Sequence, residues 1–345
     1  MKKLLSVISG LAAILLCASC DVHQFPGDDP VDPTLVNLHL NLVPAGAMQL
    51  YPNGQELVET RDYVAPQTGN LARYIVEIYI DEKFSHELVY STVVTRPENQ
   101  LPDTLHLEDV LLHAQHYRVC VWQDLRSESA VDADKFYVTS AGMNKIAVLP
   151  PSTYSAWSDS KLAQTATYKV DLTPYAEKWH KDVTCDVPLV HPLGKLVLVS
   201  TDLKKFLDTY VSATPGAKLE DYDVRVEYQL YIPTGYDVPN WNRYWGENLN
   251  SSAVGYSFRG KAVKMTDTEA LVGFDYILMD SRATSVRLKV VTRDKSGEVV
   301  NTSREVEVPL RPNHITVIRG EMLVLDTGGG IGIDPEFGGD INIYV

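Results

Sequence analysis

The feature that most limits how this chain can fold is a two-residue rhythm. Apolar and polar side chains alternate in run after run, the period of a β-strand with one buried face. In RYIVEIYI, Tyr74, Val76, Ile78 and Ile80 share one side; in HYRVCVW, Tyr117, Val119 and Val121 oppose Arg118, Cys120 and Trp122. KFYVT, KIAVLP, DVTCDVPLV, GKLVLVST, DVRVEYQLYIP and GFDYILM continue the pattern, and TLVNLHLNLV reads as an early strand of imperfect period carried by Leu35, Leu40 and Leu42. Near the end, Lys295-Ser296-Gly297 predicts a hairpin turn, with Gly297 supplying the positive φ of a bulge loop. Val286, Leu288 and Val290 can then face Val306 and Val308. Helical spacing is confined to STDLKKFLDTYV, with Ser200 or Thr201 as a cap before Leu203, Phe206, Leu207 and Tyr210, and to a turn or two in TPYAEKW. Many short strands with little helix predict an all-β chain of sandwiches carrying short helical insertions.

A length of 345 residues and a hydrophobic content of 45% suit two domains with a core each. Pro188 and Pro192 bracket a strand-to-strand passage near Val187–Leu193, which sets expected domains of 34–189 and 190–345. The rhythm is absent from the first 33 residues. Lys2 and Lys3 precede an uncharged run from Leu4 to Leu16, the layout of an export signal. The run is too short to cross a bilayer, which takes about 20 apolar residues. Cys17-Ala18-Ser19-Cys20 resembles a bacterial lipobox, with Cys17 standing where a branched apolar residue is usual. Cleavage there makes 1–19 a signal peptide and Cys20 the acylated first residue; an ordinary signal peptide cut near Ser19 is the competing reading. Several acyl chains give a stable anchor. Residues 20–33, with Pro26, Gly27, Pro30, Pro33 and four aspartates, then read as a solvated tether.

Net charge is −14, and −16 once Lys2 and Lys3 leave with the signal. Such a surface repels nucleic acid and anionic headgroups. Cys120 and Cys185 could pair in an exported protein, or pack separately as small apolar groups. No catalytic pattern stands out, and neither enzymatic activity nor a cofactor is expected. His113-x-x-His116 lacks a third ligand nearby. Asp124, Glu128, Asp132 and Asp134 crowd one loop without EF-hand spacing or its glycine, and read as a solvated acidic loop. DTGGGIG lacks the strand–helix context of a phosphate cradle, so no metal or nucleotide site is expected. YDVPNWNRYWGENLN is different: Tyr236, Trp241, Tyr244 and Trp245 lie beside Asn240, Asn242 and Arg243. That composition suits a sugar platform, because a ring face covers the C–H face of a pyranose. A surface glycan-binding protein is therefore the alternative reading, against a loop that folds its rings onto the sandwich it leaves.

CDVHQFP after the cleavage point, then RYIVEIY, YRVCVWQDLRSESAVDADKFY, PLGKLVLVSTDLKKFL and the final GGGIGIDPEFGGDINIYV occur in an order that resembles the fimbrial anchor and minor-subunit lipoproteins of Bacteroidales. The resemblance implies two tandem transthyretin-like β-sandwiches, attachment to the outer membrane, and a place in a type V pilus beside shaft or accessory subunits. Such subunits join by strand exchange, and Ile331, Ile333, Ile341, Ile343 and Val345 are the expected donor-strand residues, with Gly328–Gly330 as hinge. The same residues could instead pair within their own domain. Shaft subunits of the family are cut after an Arg or Lys, and Arg61 is the expected position if this chain is one of them.

Overall fold

The alternating runs fold as strands. The computed structural model describes residues 34–63, 69–82, 86–130, 134–149, 161–178, 181–230, 232–244 and 257–324. The first half supplies β1 (Val36–Val43), β2 (Gln49–Leu50), β3 (Asn70–Ile80), β4 (Leu88–Pro97), β5 (Leu105–Leu112), β6 (His116–Ser127), β7 (Tyr137–Val138), β8 (Ile146–Val148), β9 (Gln164–Asp171) and β10 (Lys181–Pro188). The second supplies β11 (Leu193–Ser200), β12 (Asp223–Tyr228), β13 (Gly235–Asp237), β14 (Asn242–Tyr244), β15 (Ser257–Gly260), β16 (Val263–Lys264), β17 (Ala270–Leu278), β18 (Thr284–Arg293), β19 (Val299–Thr302), β20 (Val306–Leu310) and β21 (His314–Gly320). A single turn of α-helix, Leu203–Phe206, runs on into a π-helical turn, Leu207–Val211.

The first sandwich packs the sheet β10-β1-β5 against β4-β3-β6-β9. Its core is built from the inward faces: Val36, Leu38, Leu40 and Leu42 of β1, Tyr74, Val76 and Ile78 of β3, and Tyr117, Val119 and Val121 of β6. The sequence expectation for β1 holds at Leu40 and Leu42, which are buried, and fails at Leu35. Leu35 is no member of the buried stripe; counted from Val36 the alternation is regular. The second sandwich packs β16-β17-β11-β21-β2 against β15-β12-β18-β19, with β20 also on β18. There Val286 pairs Val308 and Leu288 pairs Val306, across a turn in which Gly297 has φ 87°. The expected helix cap is absent: Ser200 ends β11 and Asp202 occupies the N-cap without a side-chain cap bond.

Two pieces of the first half take places beside strands of the second. The chain leaving β1 crosses over, and β2 pairs in parallel with β21. Tyr51 N donates to Ile315 O at 2.8 Å, and Asn53 Nδ2 to Val317 O at 2.7 Å. A fifth sheet, β14-β13-β8-β7, mixes both halves, Gly235 and Tyr236 pairing Ala147 and Ile146. Its Tyr137 and Tyr236 meet Trp122 of β6 at centroid distances of 5.2 and 6.0 Å. The face of β6 opposite the first core is thereby buried as well.

Strands β11 and β17 are buried along their whole length, so polar residues in them need partners from above. Lys195 Nζ donates to Thr60 Oγ1 at 2.6 Å and lies over the rings of Phe274 and Tyr276. Lys161 Nζ pairs with Asp275 at 2.6 Å, both groups at most 4% exposed, and Tyr228 donates its hydroxyl to the same carboxylate at 3.0 Å. Removing one partner of such a pair strands the other, at a cost of about 3–5 kcal/mol.

His191 lies buried in the passage from β10 to β11, with Nδ1 2.9 Å from Ala163 O and Nε2 3.1 Å from Gly46 O. A neutral ring donates to only one of them. Burial dominates and pulls the imidazole below its ordinary value of 6.5, against the two carbonyls, which favour the proton. A histidine depressed in the folded state contributes nothing adverse at high pH and destabilises once the unfolded chain binds the proton. We therefore expect stability to fall as pH drops below 6.5. In urea denaturation, His191→Gln should be less stable than wild type at pH near 8, and the gap should close on acidification.

Candidate functional site

The first described strand, β1, occupies the middle of its sheet. β1 pairs in parallel with β10 from Val36–Lys181 to Val43–Pro188, and antiparallel with β5 from Val36–Leu112 to Leu42–Leu105. All four inward side chains are fully buried, each contributing roughly 1.5–3 kcal/mol. The outward face is a polar ladder. Asn37 Nδ2 donates to Asp182 at 2.9 Å, Asn41 Nδ2 donates to Asp186 at 2.7 Å, and His106 meets Asn41 Oδ1 at 2.7 Å. The hydrogen bond from His39, then that from Asn37, holds the Asp182 carboxyl below the usual carboxylate range. On the β5 side a bulge sets Glu108 and Asp109 opposite His39, with Asp109 at φ 60°.

Arg61 lies in the crossing segment, in a 3₁₀ turn at Thr60–Tyr63. Its side chain is exposed, but Thr60 before it is 1% exposed and held by Lys195, and Val58 is also buried. A protease needs an extended stretch on both sides of the cut, so half of this site is withheld. A chain cut there would still keep residues 34–61 through β1 and β2.

The expected donor residues Ile331, Ile333, Ile341, Ile343 and Val345, and the anchor Cys20, lie outside the described residues. The point from which the C-terminal segment departs is described and is firmly held. Asp202 is 4% exposed, and its Oδ2 accepts the backbone N–H of Val324 at 2.7 Å and of Leu323 at 3.2 Å. Oδ1 accepts from the Ser200 hydroxyl and from Leu323 N at 3.3 Å, while Met322 N also reaches Ser200 Oγ at 3.1 Å. This clamp joins residues some 120 positions apart, and no local pattern in the sequence announces it.

Of the aromatic loop, Tyr236, Trp241 and Tyr244 are among the described residues. Tyr236 is fully buried against Trp122; burial pushes its phenol up, and its hydroxyl finds no partner among the described residues. Tyr244 lies flat on Gly235, where a Cβ would meet its ring at 2.3 Å, and donates its hydroxyl to Ile146 O at 3.0 Å. Trp241, at φ 51°, is half-buried, and Trp245 lies outside the described residues. Two of the four rings therefore serve the sheet that joins the halves.

The acidic loop is likewise not solvated throughout. Asp124 is 2% exposed and takes a bidentate pair from Arg73 at 2.8 and 2.5 Å, while Arg73 Nη1 reaches Asp134 at 2.8 Å. Glu128 is exposed, and Asp132 lies outside the described residues. His116 pairs with Asp171 at 3.3 Å on the surface. Among the described residues no group of three or more His, Cys, Asp or Glu side chains is placed to hold a metal. Cys120 and Cys185 are free thiols facing different cores, and burial pushes the Cys120 thiol up to about 12. A half-open cleft of about 380 Å³ lies between the helical turn and the Asp294–Gly297 hairpin, lined by Tyr210, Tyr222, Asp221, Asp294 and Lys295. Both tyrosine hydroxyls there are spent on backbone carbonyls.

Residues 34–345 match the sequence model of a family of unknown function, DUF6562. The chain belongs to this family. No curated protein sequence matches it. Among solved structures, this DUF6562 chain is similar to the fimbrial anchor protein Mfa2 from Porphyromonas gingivalis, at 12% identity over 78% of this chain and 81% of that one, with a TM-score of 0.41. A candidate cell adhesion protein from Bacteroides eggerthii shows 12% identity over 88% and 91% at 0.39. A candidate polysaccharide-binding protein from Bacteroides thetaiotaomicron shows 10% over 77% and 79% at 0.39. These are distant likenesses.

The Asp202 clamp is open to direct test. Asp202→Ala leaves buried N–H groups without an acceptor and should lower stability by about 3 kcal/mol. Hydrogen exchange should show lost protection concentrated at Leu323 and Val324.

Proposed function

We propose that this chain is a non-enzymatic, surface-anchored lipoprotein of a type V fimbria, its base or a minor subunit. Acyl chains on Cys20 hold it to the outer membrane, and β-strand complementation joins it to shaft or accessory subunits. The observation that carries the proposal is the position of β1. The first strand after the tether is enclosed by partners on both sides, and the next twenty or so residues cross to the second sandwich. An anchor needs its membrane-proximal segment built into the body in this way.

The guarded Arg61 supports an anchor that keeps this segment, rather than a shaft subunit that sheds it. At the other end, the clamp on Met322–Val324 starts the C-terminal segment from a fixed point. That suits Ile331, Ile333, Ile341, Ile343 and Val345 as a strand donated to a neighbour, where main-chain hydrogen bonds supply affinity and alternate side chains supply specificity.

The deciding measurement is the mature N-terminus and intact mass of the protein from the cell surface. The expected result is a chain beginning at acylated Cys20; a chain beginning at Asp62 without lipid would make it a polymerising subunit. Deleting residues from Ile331 onward should leave export intact and reduce co-purification of fimbrial subunits. Unchanged co-purification would remove the donor-strand role.

A further inference from the structure

Every sheet has two edges whose backbone groups are open to pairing with another chain, and folded proteins usually blunt them. Most edges here are blunted. β5 carries His106, Glu108 and Asp109 on its exposed positions and is broken by the bulge at Asp109. β10 carries Lys181, Asp182 and Asp186 and ends at Pro188. β2, β7 and β16 are two residues long, and β14 has three. β15 has four residues, with Arg259 tied to Asp223. β20 carries Glu307 and Pro309, and β9 carries Lys169 and Asp171.

β19, also at a sheet edge and uncharged, has only four residues; β4 is the long exception. It ends the order β4-β3-β6-β9, and among the described residues its far edge has no partner. From Leu88 to Thr95 it reads LVYSTVVT, with no charge, proline or glycine. Val93 is 56% exposed, Leu88 46% and Val89 39%, in a chain of net charge −14. Its one irregularity is a register shift beside Leu88 and Val89, at the end of the strand. The uncharged run is preceded by Glu87 and followed, at the end of the same strand, by Arg96 and Pro97.

We propose that the β4 edge pairs antiparallel with β4 of a second copy of this chain. The charges select that occupant. Two like-charged bodies approach only where local charge is absent or complementary. Antiparallel self-pairing sets the Glu87 end of each strand beside the Arg96 end of the other, twice over by symmetry. A twofold axis normal to the sheet keeps outward side chains outward and makes one eight-stranded sheet from two four-stranded ones. The pairing uses an edge that is open among the described residues, vacates no strand, and stands whether or not the chain is a fimbrial subunit.

Sedimentation of the full mature protein in detergent, across a wide concentration range, should show a monomer–dimer equilibrium. Val93→Lys should weaken it by roughly tenfold or more, through like charges facing across the axis, while Val93→Thr should preserve it. Glu87→Arg should weaken it, and adding Arg96→Glu to that variant should restore it. Far-ultraviolet circular dichroism of each variant checks that the fold is kept. A monomer at every concentration would overturn the proposal, and so would a dimer indifferent to Val93→Lys or a charge reversal that Arg96→Glu fails to rescue. Were the true occupant a strand of another protein, this chain alone would sediment as a monomer.

Discussion

A sheet that is apolar on both faces has to be covered twice. β11 and β17 are such strands, and β6 is another, with Val119 and Val121 facing one core and Cys120 and Trp122 the other. One sandwich partner covers one face only. The second cover comes from elsewhere in the chain: the crossing segment after β1, and the mixed sheet that carries Tyr137 and Tyr236. The two sandwiches share their apolar surface for this reason, and each half completes the burial of the other.

The same constraint explains the buried charges. Lys195 and Asp275 lie in strands from which water is excluded, and each takes a partner from the first half, Thr60 and Lys161. Arg73 gathers Asp124 and Asp134 within the first half, on the outer side of β3. The Lys195–Thr60 and Lys161–Asp275 contacts are directional where apolar packing is not, so they fix how the two halves register. An apolar substitution could match them in energy, but it would give up that registration.

Local periodicity made much of the secondary structure legible. Alternation identified the inward faces of β3 and β6, and the Lys295–Gly297 turn predicted the β18–β20 register, because side chains two apart must share a face whatever they pack against. Leu35 was misplaced because it precedes a strand whose stripe starts at Val36. What alternation does not encode is the partner. The parallel pairing of β1 with β10 joins residues 145 apart, as in Asn37 with Asp182, and the Asp202 clamp spans a similar distance. The acidic loop was misjudged for a related reason. Asp124 looks solvent-bound beside polar neighbours until Arg73 claims it.

The parallel arrangement of β1 and β10 has a mechanical consequence. Tension applied at the N-terminal end pulls β1 toward Val36, while tension from the rest of the chain pulls β10 toward Pro188 and the second sandwich. In a parallel pair those directions are opposed along the strand axis. The hydrogen bonds between them are then sheared together instead of peeled one by one, so rupture requires the whole ladder to fail at once. A chain loaded at its two ends would be held by the strength of a row of bonds acting in concert.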